Sequence, residues 1–306
     1  MTKHDVVVYL SSLKDQSPSR KTQCLLAFAT GARSVGATVH VETEYKWQPS
    51  RLAVMLGWAS PEQRGQNIKF RAEIIQKQQE IGGHVMAIDA NCFKFNDPDS
   101  RYLRYSINGV FYDSSEYANK NSNDAPWNSI SHNLNLQMKP WKNGGDYILL
   151  LLQRDGGWSM KGLNPLDWAA NKIAELKSLT NLPILIRPHP GKVADVSKLI
   201  GGNVTLSNTA TRTLKQDLNH AAAALVYNSS SGVAAVLEGV PLFVDDVSSV
   251  CWQVANHDIN RLNNPEYPDR TQWIYDLAAA HWSDADSEQG LIYQKFLPYL
   301  LGYQSL

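Results

Sequence analysis

The sequence predicts an α/β protein built from two Rossmann-like domains, and three observations predict it. An apolar run at 6–10, a helical pattern at 19–35 ending near Gly36, and an extended run at 38–42 make a β-α-β opening. After the loose stretch Lys142-Asn143-Gly144-Gly145, a new apolar run at 147–152 restarts the same alternation. The 306 residues, 43% hydrophobic and 19% charged, suffice for two globular cores of ordinary domain size. The division expected is 1–143, 144–285 and a terminal helix at 286–306.

In the first half, 6–10 reads as a strand followed by the loop Ser11-Ser12-Leu13-Lys14. The β-α-β opening lacks the GxGxxG fingerprint, so bound NAD is not expected. Residues 51–58 form a further strand, 61–81 a long polar helix stopped by Gly82-Gly83, and 84–88 the next strand. Asp89 follows at once. A carboxylate at the carboxyl end of a parallel strand is placed to act as a general base, and a turn-capping role is the alternative. His84 and Glu73 are less favourably placed substitutes.

From 91 to 140 the periodicity breaks down, and cations alternate with aromatic residues. Lys94, Arg101, Tyr102, Arg104 and Tyr105 are candidate DNA contacts, with cations for phosphates and ring faces for extruded bases. A hairpin at 102–112 around Asn108-Gly109, with its aromatics packed on the core, is an equally open reading.

The second half begins with the strand at 147–152 and the loop 153–159, where Arg154 can meet phosphate or sugar and Gly156-Gly157 permit close backbone approach. Asn164-Pro165 starts a helix reaching about residue 179, and 182–187 is a strand running into Arg187-Pro188-His189-Pro190. The two prolines stiffen that loop, so Arg187 and His189 have fixed directions and suit a diphosphate. Residues 203–206 form a short strand, and Thr211 or Thr213 caps the helix before 221.

The organising stretch is 227–244. Strand 221–227 ends in the turn Asn228-Ser229-Ser230, Ser231-Gly232 opens a helix that stops at Glu238-Gly239, and 241–244 is a buried parallel strand. A helix start with free N–H groups and three serine hydroxyls suits phosphate, and Gly232 would let a ligand approach the backbone. Glu238 lies seven residues after Ser231, on the same helix face roughly 10 Å away. That span suits a nucleotide with its phosphates at the helix start and its ribose on the carboxylate.

Taken together, RPHP at 187–190 and NSSSG at 228–232 with EGVP at 238–241 resemble the C-terminal half of two-Rossmann-domain (GT-B) glycosyltransferases, over roughly residues 147–246. The most similar versions occur in bacteriophage enzymes that glycosylate 5-hydroxymethylcytosine in DNA and in capsule-polysaccharide transferases. The N-terminal half resembles them only in strand–helix rhythm. The resemblance implies two domains facing across a cleft, an acceptor domain first and a nucleotide-sugar donor domain second, with the terminal helix at 286–306 crossing back to the first. It further implies a UDP-sugar donor, no required cofactor, and a flipped hydroxymethylcytosine of double-stranded DNA as acceptor. A catalytic Asp in a similar strand-end setting supports Asp89 as the base of an inverting displacement. Glucose and a pentose such as arabinose stay open as the sugar. A glycan acceptor is the enzymatic alternative, a UDP-sugar hydrolase or epimerase a further one, and a non-catalytic DNA-binding protein on a Rossmann scaffold the alternative from another class.

Charge and cysteine content narrow the field. Lys+Arg and Asp+Glu each total 29, which excludes a global basic field, yet residues 1–145 hold 17 basic and 13 acidic side chains against 12 and 16 in the remainder. A polyanion therefore belongs with the N-terminal half. Cys24, Cys92 and Cys251 are far apart and show no metal-ligand spacing. A reducing cytoplasm (the host's, for a phage protein) and a monomer are expected. No signal peptide and no apolar run of about 20 residues is present, so no membrane partner is expected. Asp97-Pro98-Asp99 and Asp284-Ala285-Asp286 imitate a metal-binding acidic triplet, but neither follows a convincing strand.

Overall fold

The computed structural model describes residues 4–59, 65–154, 158–191 and 195–302. The chain divides into two compact units: Met1–Asn91, Asp99–Asn123 and Asp276–Leu306 form the first, and Cys92–Pro98 with Asp124–Tyr275 form the second. The sequence placed boundaries at 143/144 and 285/286, the second of which compares with a change of unit at 275/276. Here the change of unit falls at 123/124, and the short excursion Cys92–Pro98 leaves the first half of the chain to join the second unit.

The first unit contains β1 (His4–Tyr9), α1 (Arg20–Ser34), β2 (Val39–Glu42), β3 (Ser50–Leu56), α2 (Gln66–Glu80), β4 (His84–Ala90) and β5 (Tyr102–Ile107). A short strand, His281–Ser283, completes its sheet, in the order His281–Ser283, β5, β4, β3, β1, β2. The first four strands are mutually parallel, while β5 runs antiparallel to both of its neighbours. Chain reversal beside β1 puts the switch in strand order between β1 and β3, as in flavodoxin-like sheets.

The reason for the β1 sequence is visible in its two faces. Val6 and Val8 pack with Leu25, Phe28 and Ala32 of α1 and with Ile292 and Phe296 of the terminal helix Leu291–Leu300. Val7 and Tyr9 pack on the other face against Phe70 and Ile74 of α2. A strand covered on both sides needs a continuous apolar run, which is what residues 6–9 supply. Ser19 and Thr22 form a capping box that starts α1. The predicted helix at 61–81 is described from Gln66, and residues 61–64 lie outside the described residues.

The hairpin at 102–112 does not form as such. β5 pairs instead with β4, Asp89 opposite Arg104, and with His281–Ser283 on its other edge. Flanked on both sides, β5 turns Tyr105 into the core, fully buried, with Phe28 stacked beside it at 6.4 Å.

The second unit contains α3 (Ala125–Leu134), β6 (Tyr147–Leu151), α4 (Pro165–Leu179), β7 (Ile184–Arg187), β8 (Val204–Leu206), α5 (Leu214–Leu218), β9 (Ala221–Val226), α6 (Ser231–Leu237) and β10 (Leu242–Val244). All five strands are parallel, in the order β10-β9-β6-β7-β8. Counted within the unit, this is the 3-2-1-4-5 order of a Rossmann sheet. The order reverses between β6 and β9, so a ligand is expected outside the carboxyl ends of those two strands.

Candidate functional site: the carboxyl edge of the second sheet

Gln153 follows β6 and Asn228 follows β9, so the switch point sets these two side chains side by side. Gln153 Nε2 donates to Asn228 Oδ1 at 2.8 Å, and the Asn228 amide donates to Ser159 O and Ser248 Oγ, each at 2.8 Å. Asn228 thus fastens three loops and has little capacity left for a ligand. Gln153 was missed in the sequence, although its position directly after an apolar strand was a signal. Of the loop beyond it, Asp155, Gly156 and Gly157 lie outside the described residues, while Arg154 is exposed.

The serines are better placed to bind. Ser229 Oγ accepts from Ser231 Oγ at 2.9 Å and from Ser231 N–H at 3.3 Å, and Ser230 is exposed at the start of α6. Gly232 serves packing rather than ligand approach. It is buried, and a Cβ there would come within 2.9 Å of Leu242 Cδ2 and 3.3 Å of Cys251 Sγ. The missing side chain lets α6 lie directly on β10.

Ser231, Ala234 and Glu238 follow one another along one face of α6. Against the C-terminal end of that face lies a cavity of about 350 Å³, lined by Ala234, Leu237 and Glu238, by Thr213–Lys215 of the α5 start, by Phe95 and Asn96, and by Lys139. Glu238, only 9% exposed, pairs with Lys139 and stands 3.7 Å from Lys215. One carboxylate between two ammonium groups, beside apolar Leu214 and Leu237, makes a pocket able to hold hydroxyls, an anion and an apolar ring. Lys139 is held in place by its backbone, whose N–H donates to Leu237 O at 2.8 Å and whose carbonyl accepts from Arg270.

Arg187 points elsewhere than the sequence suggested. Its Nη1 meets Asp217 Oδ2 at 2.5 Å, Arg212 O at 3.1 Å and Ser207 Oγ at 3.3 Å. Asp217 is fully buried and also takes Arg212 Nε at 2.7 Å. Burial by itself would raise the Asp217 carboxyl, but the hydrogen bonds from Ser207, Arg212 and Arg187 outweigh it, and the net displacement is downward. Arg187 is therefore a strut between β7 and α5. Asp217 gave no local signal, being one acid in a five-residue helix.

His189 remains open to a ligand. Its Nδ1 accepts from Gly191 N–H at 2.9 Å, which puts the ring proton on Nε2. Partial burial, then the charges of Arg154 and Lys94, lower its pKa below the ordinary histidine value. Lys94, read from sequence as a DNA contact, thus belongs to the second unit and shares a positive field with Arg154.

In the first unit, Asp89 ends β4 with its side chain 37% exposed. Oδ2 accepts from Arg104 Nη2 at 2.9 Å and Oδ1 from Ala90 N–H at 2.8 Å. Arg104 in turn lies over the Tyr117 ring, 5.5 Å from its centroid. The five suggested DNA contacts differ in unit and in burial. Lys94 is in the second unit, Tyr102 and Tyr105 are buried core residues, Arg104 is paired with Asp89, and Arg101 alone of the four in the first unit is exposed. Tyr105 offers no face to a base.

The second acidic triplet is otherwise engaged: Asp284 pairs with Arg20 at 2.7 Å, and Asp286 completes a capping box with Ser283. Among the described residues no group of three His, Cys, Asp or Glu side chains could hold a metal ion. No described helix is long and apolar enough to cross a membrane.

No protein-family model and no curated protein sequence matches the chain. Solved structures do. The β-Kdo 2,4 transferase of Thermosulfurimonas dismutans KpsC superposes with a TM-score of 0.58 at 14% identity, covering 90% of this chain and 90% of its own. The β-Kdo 2,7 transferase of the same KpsC gives 0.52 at 13% identity, covering 95% and 99%. At these identities the likeness concerns architecture. The chain has the fold of GT-B glycosyltransferases, a mixed α/β structure with two Rossmann-like domains.

Proposed function

We propose that the protein is a glycosyltransferase that moves a sugar from a nucleotide-sugar donor, UDP-linked in the first instance, to an acceptor hydroxyl. The observation that carries this is the cavity along α6, where Glu238, at the C-terminal end of the helix, stands between Lys139 and Lys215. In this reading the ribose hydroxyls bond Glu238. The phosphates lie toward Ser229–Ser231, within the field of Arg154 and Lys94, and His189 Nε2–H donates to them.

Asp89 takes the acceptor proton as the oxygen bonds to the anomeric carbon. The bond from that carbon to the phosphate oxygen breaks, and the nucleotide leaves with the electron pair. One displacement of this kind inverts the configuration.

For the acceptor, 5-hydroxymethylcytosine in DNA is the first reading. It is supported by the resemblance of the paired motifs and by the 17 basic against 13 acidic residues through Gly145. It draws nothing from Tyr102 or Tyr105. A glycan acceptor is the second reading, favoured by the architecture shared with two Kdo transferases.

The test is transfer from a panel of UDP-sugars to duplex DNA containing 5-hydroxymethylcytosine, read by nucleoside mass spectrometry. A mass gain is expected, and its size separates pentose from hexose. No gain, with nucleotide binding intact, moves the acceptor to a glycan. Neither gain nor nucleotide binding overturns the enzyme reading.

A further inference from the structure

The cavity along α6 has one wall that no nucleotide motif in the sequence accounts for. It comes from Cys92–Pro98, the excursion that leaves the first half of the chain immediately after β4 and packs into the second unit. Within it Lys94–Asn96 form a single 3-10 turn. The turn is fixed at both ends: Phe93 and Asp97 are each fully buried. Asn96 N–H donates to Phe93 O at 2.8 Å, and the Asn96 side-chain amide donates to Leu134 O at 2.5 Å.

Phe95 stands between these anchors, partly exposed on the cavity wall, and among the described residues no ring stacks on it. Single exposed apolar side chains are ordinary. A phenyl ring held by a rigid turn at the wall of a cavity with a carboxylate and two ammonium groups is a different case. It presents a flat apolar face at a fixed place, next to groups suited to the sugar and phosphate of a nucleotide. Lys94, the preceding residue of the same turn, already contributes to the positive field around His189.

We propose that Phe95 is the platform on which the base of the donor nucleotide stacks, with the amides of Asn135 and Gln137 on the same cavity available to the base edge. This rests on the donor reading above and assigns specificity for the base to a segment that precedes the donor domain's own strands. The aromatic-basic composition of this stretch then serves the donor and not a nucleic-acid groove.

The experiment is calorimetric titration of the full chain with UDP, CMP and GDP, in wild type, Phe95→Ala and Phe95→Trp, with pyrophosphate as a ligand that has no base. Phe95→Ala is expected to weaken the preferred nucleotide at least tenfold while pyrophosphate binding and the thermal midpoint stay unchanged. Phe95→Trp is expected to restore affinity. Wild-type nucleotide affinity in Phe95→Ala would overturn the platform and leave the donor reading standing. Parallel loss of nucleotide and pyrophosphate would overturn it too, by showing a disturbed pocket. A wild-type chain that binds none of the three nucleotides would overturn the donor reading and this inference together.

Discussion

Replacing Asp217 with Asn should destabilise the second unit by about 3 kcal/mol, the low end of what breaking a buried ion pair costs. The figure follows from the surroundings of the carboxylate. Asp217 is fully buried, and Arg187, whose side chain is 12% exposed, would be left among Ser207 Oγ and the Arg212 carbonyl without its counter-charge. The Arg212 side chain is 45% exposed, so water replaces its lost partner. Asn keeps the volume and one acceptor for Ser207 Oγ–H, which argues for the low end of the range.

Urea unfolding followed by circular dichroism reads the effect. With a slope of about 2 kcal/mol per molar, the transition of the second unit should fall by roughly 1.5 M. The acid side gives an independent check. Because the folded carboxyl titrates below its ordinary value, its contribution is fully present above the unfolded aspartate pKa of about 3.9 and is lost as pH falls through the folded value. Asp217→Asn should flatten that part of the pH curve. A midpoint shift below about 0.5 M would refute the view that Arg187 depends on Asp217.

Three further outcomes are expected. Asp89→Asn should abolish transfer and leave nucleotide affinity unchanged in the same titration, and full activity would remove Asp89 from the mechanism. Gly239→Ala should cost at least about 2 kcal/mol in urea and weaken nucleotide binding. Gly239 has φ +74°, where an L-residue loses about 1–2 kcal/mol, and its Cβ would stand 2.0 Å from the Pro140 carbonyl oxygen, displacing the segment that carries Lys139. His281 is buried and donates to Leu277 O at 2.7 Å, and burial lowers its pKa to about 3. Between pH 6.5 and about 3 only the unfolded imidazole takes a proton, so stability should fall by up to about 1.4 kcal/mol per pH unit toward acid, and His281→Gln should remove that slope.

The sequence disclosed what short-range pattern controls. β1, β6 and β9 are continuous apolar runs because each is covered on both faces, and the turn after β9 was legible from Asn228 and three serines. The parts that escaped depend on partners far away in the chain. The sequence left Tyr102 and Tyr105 open between base contacts and core packing, and the core wins because β5 lies between β4 and His281–Ser283, some 180 residues downstream; nothing near residue 102 encodes that second edge. Arg187 had the right loop and the right strand end for a phosphate. Its counter-charge lies thirty residues later in α5, where local periodicity marks Asp217 as an ordinary helix-surface acid.

That same pair decides how loss of function at RPHP should be interpreted. Asp217 belongs to α5, and α5 together with Thr213 forms a wall of the cavity that holds Glu238. Arg187 fixes that wall to the end of β7 through Asp217, and Ser207 fixes it to the end of β8. An Arg187 variant would therefore weaken donor binding by letting the wall move, with no direct contact between guanidinium and phosphate. The two routes separate by ligand. A phosphate contact is lost equally for pyrophosphate and for a nucleotide, whereas a displaced α5 wall penalises the nucleoside part and leaves pyrophosphate, which the proposed donor reading puts near Ser229–Ser231 and Arg154, much as before. With Arg187 Nη1 already in contact with Asp217 at 2.5 Å, the second pattern is the expected one.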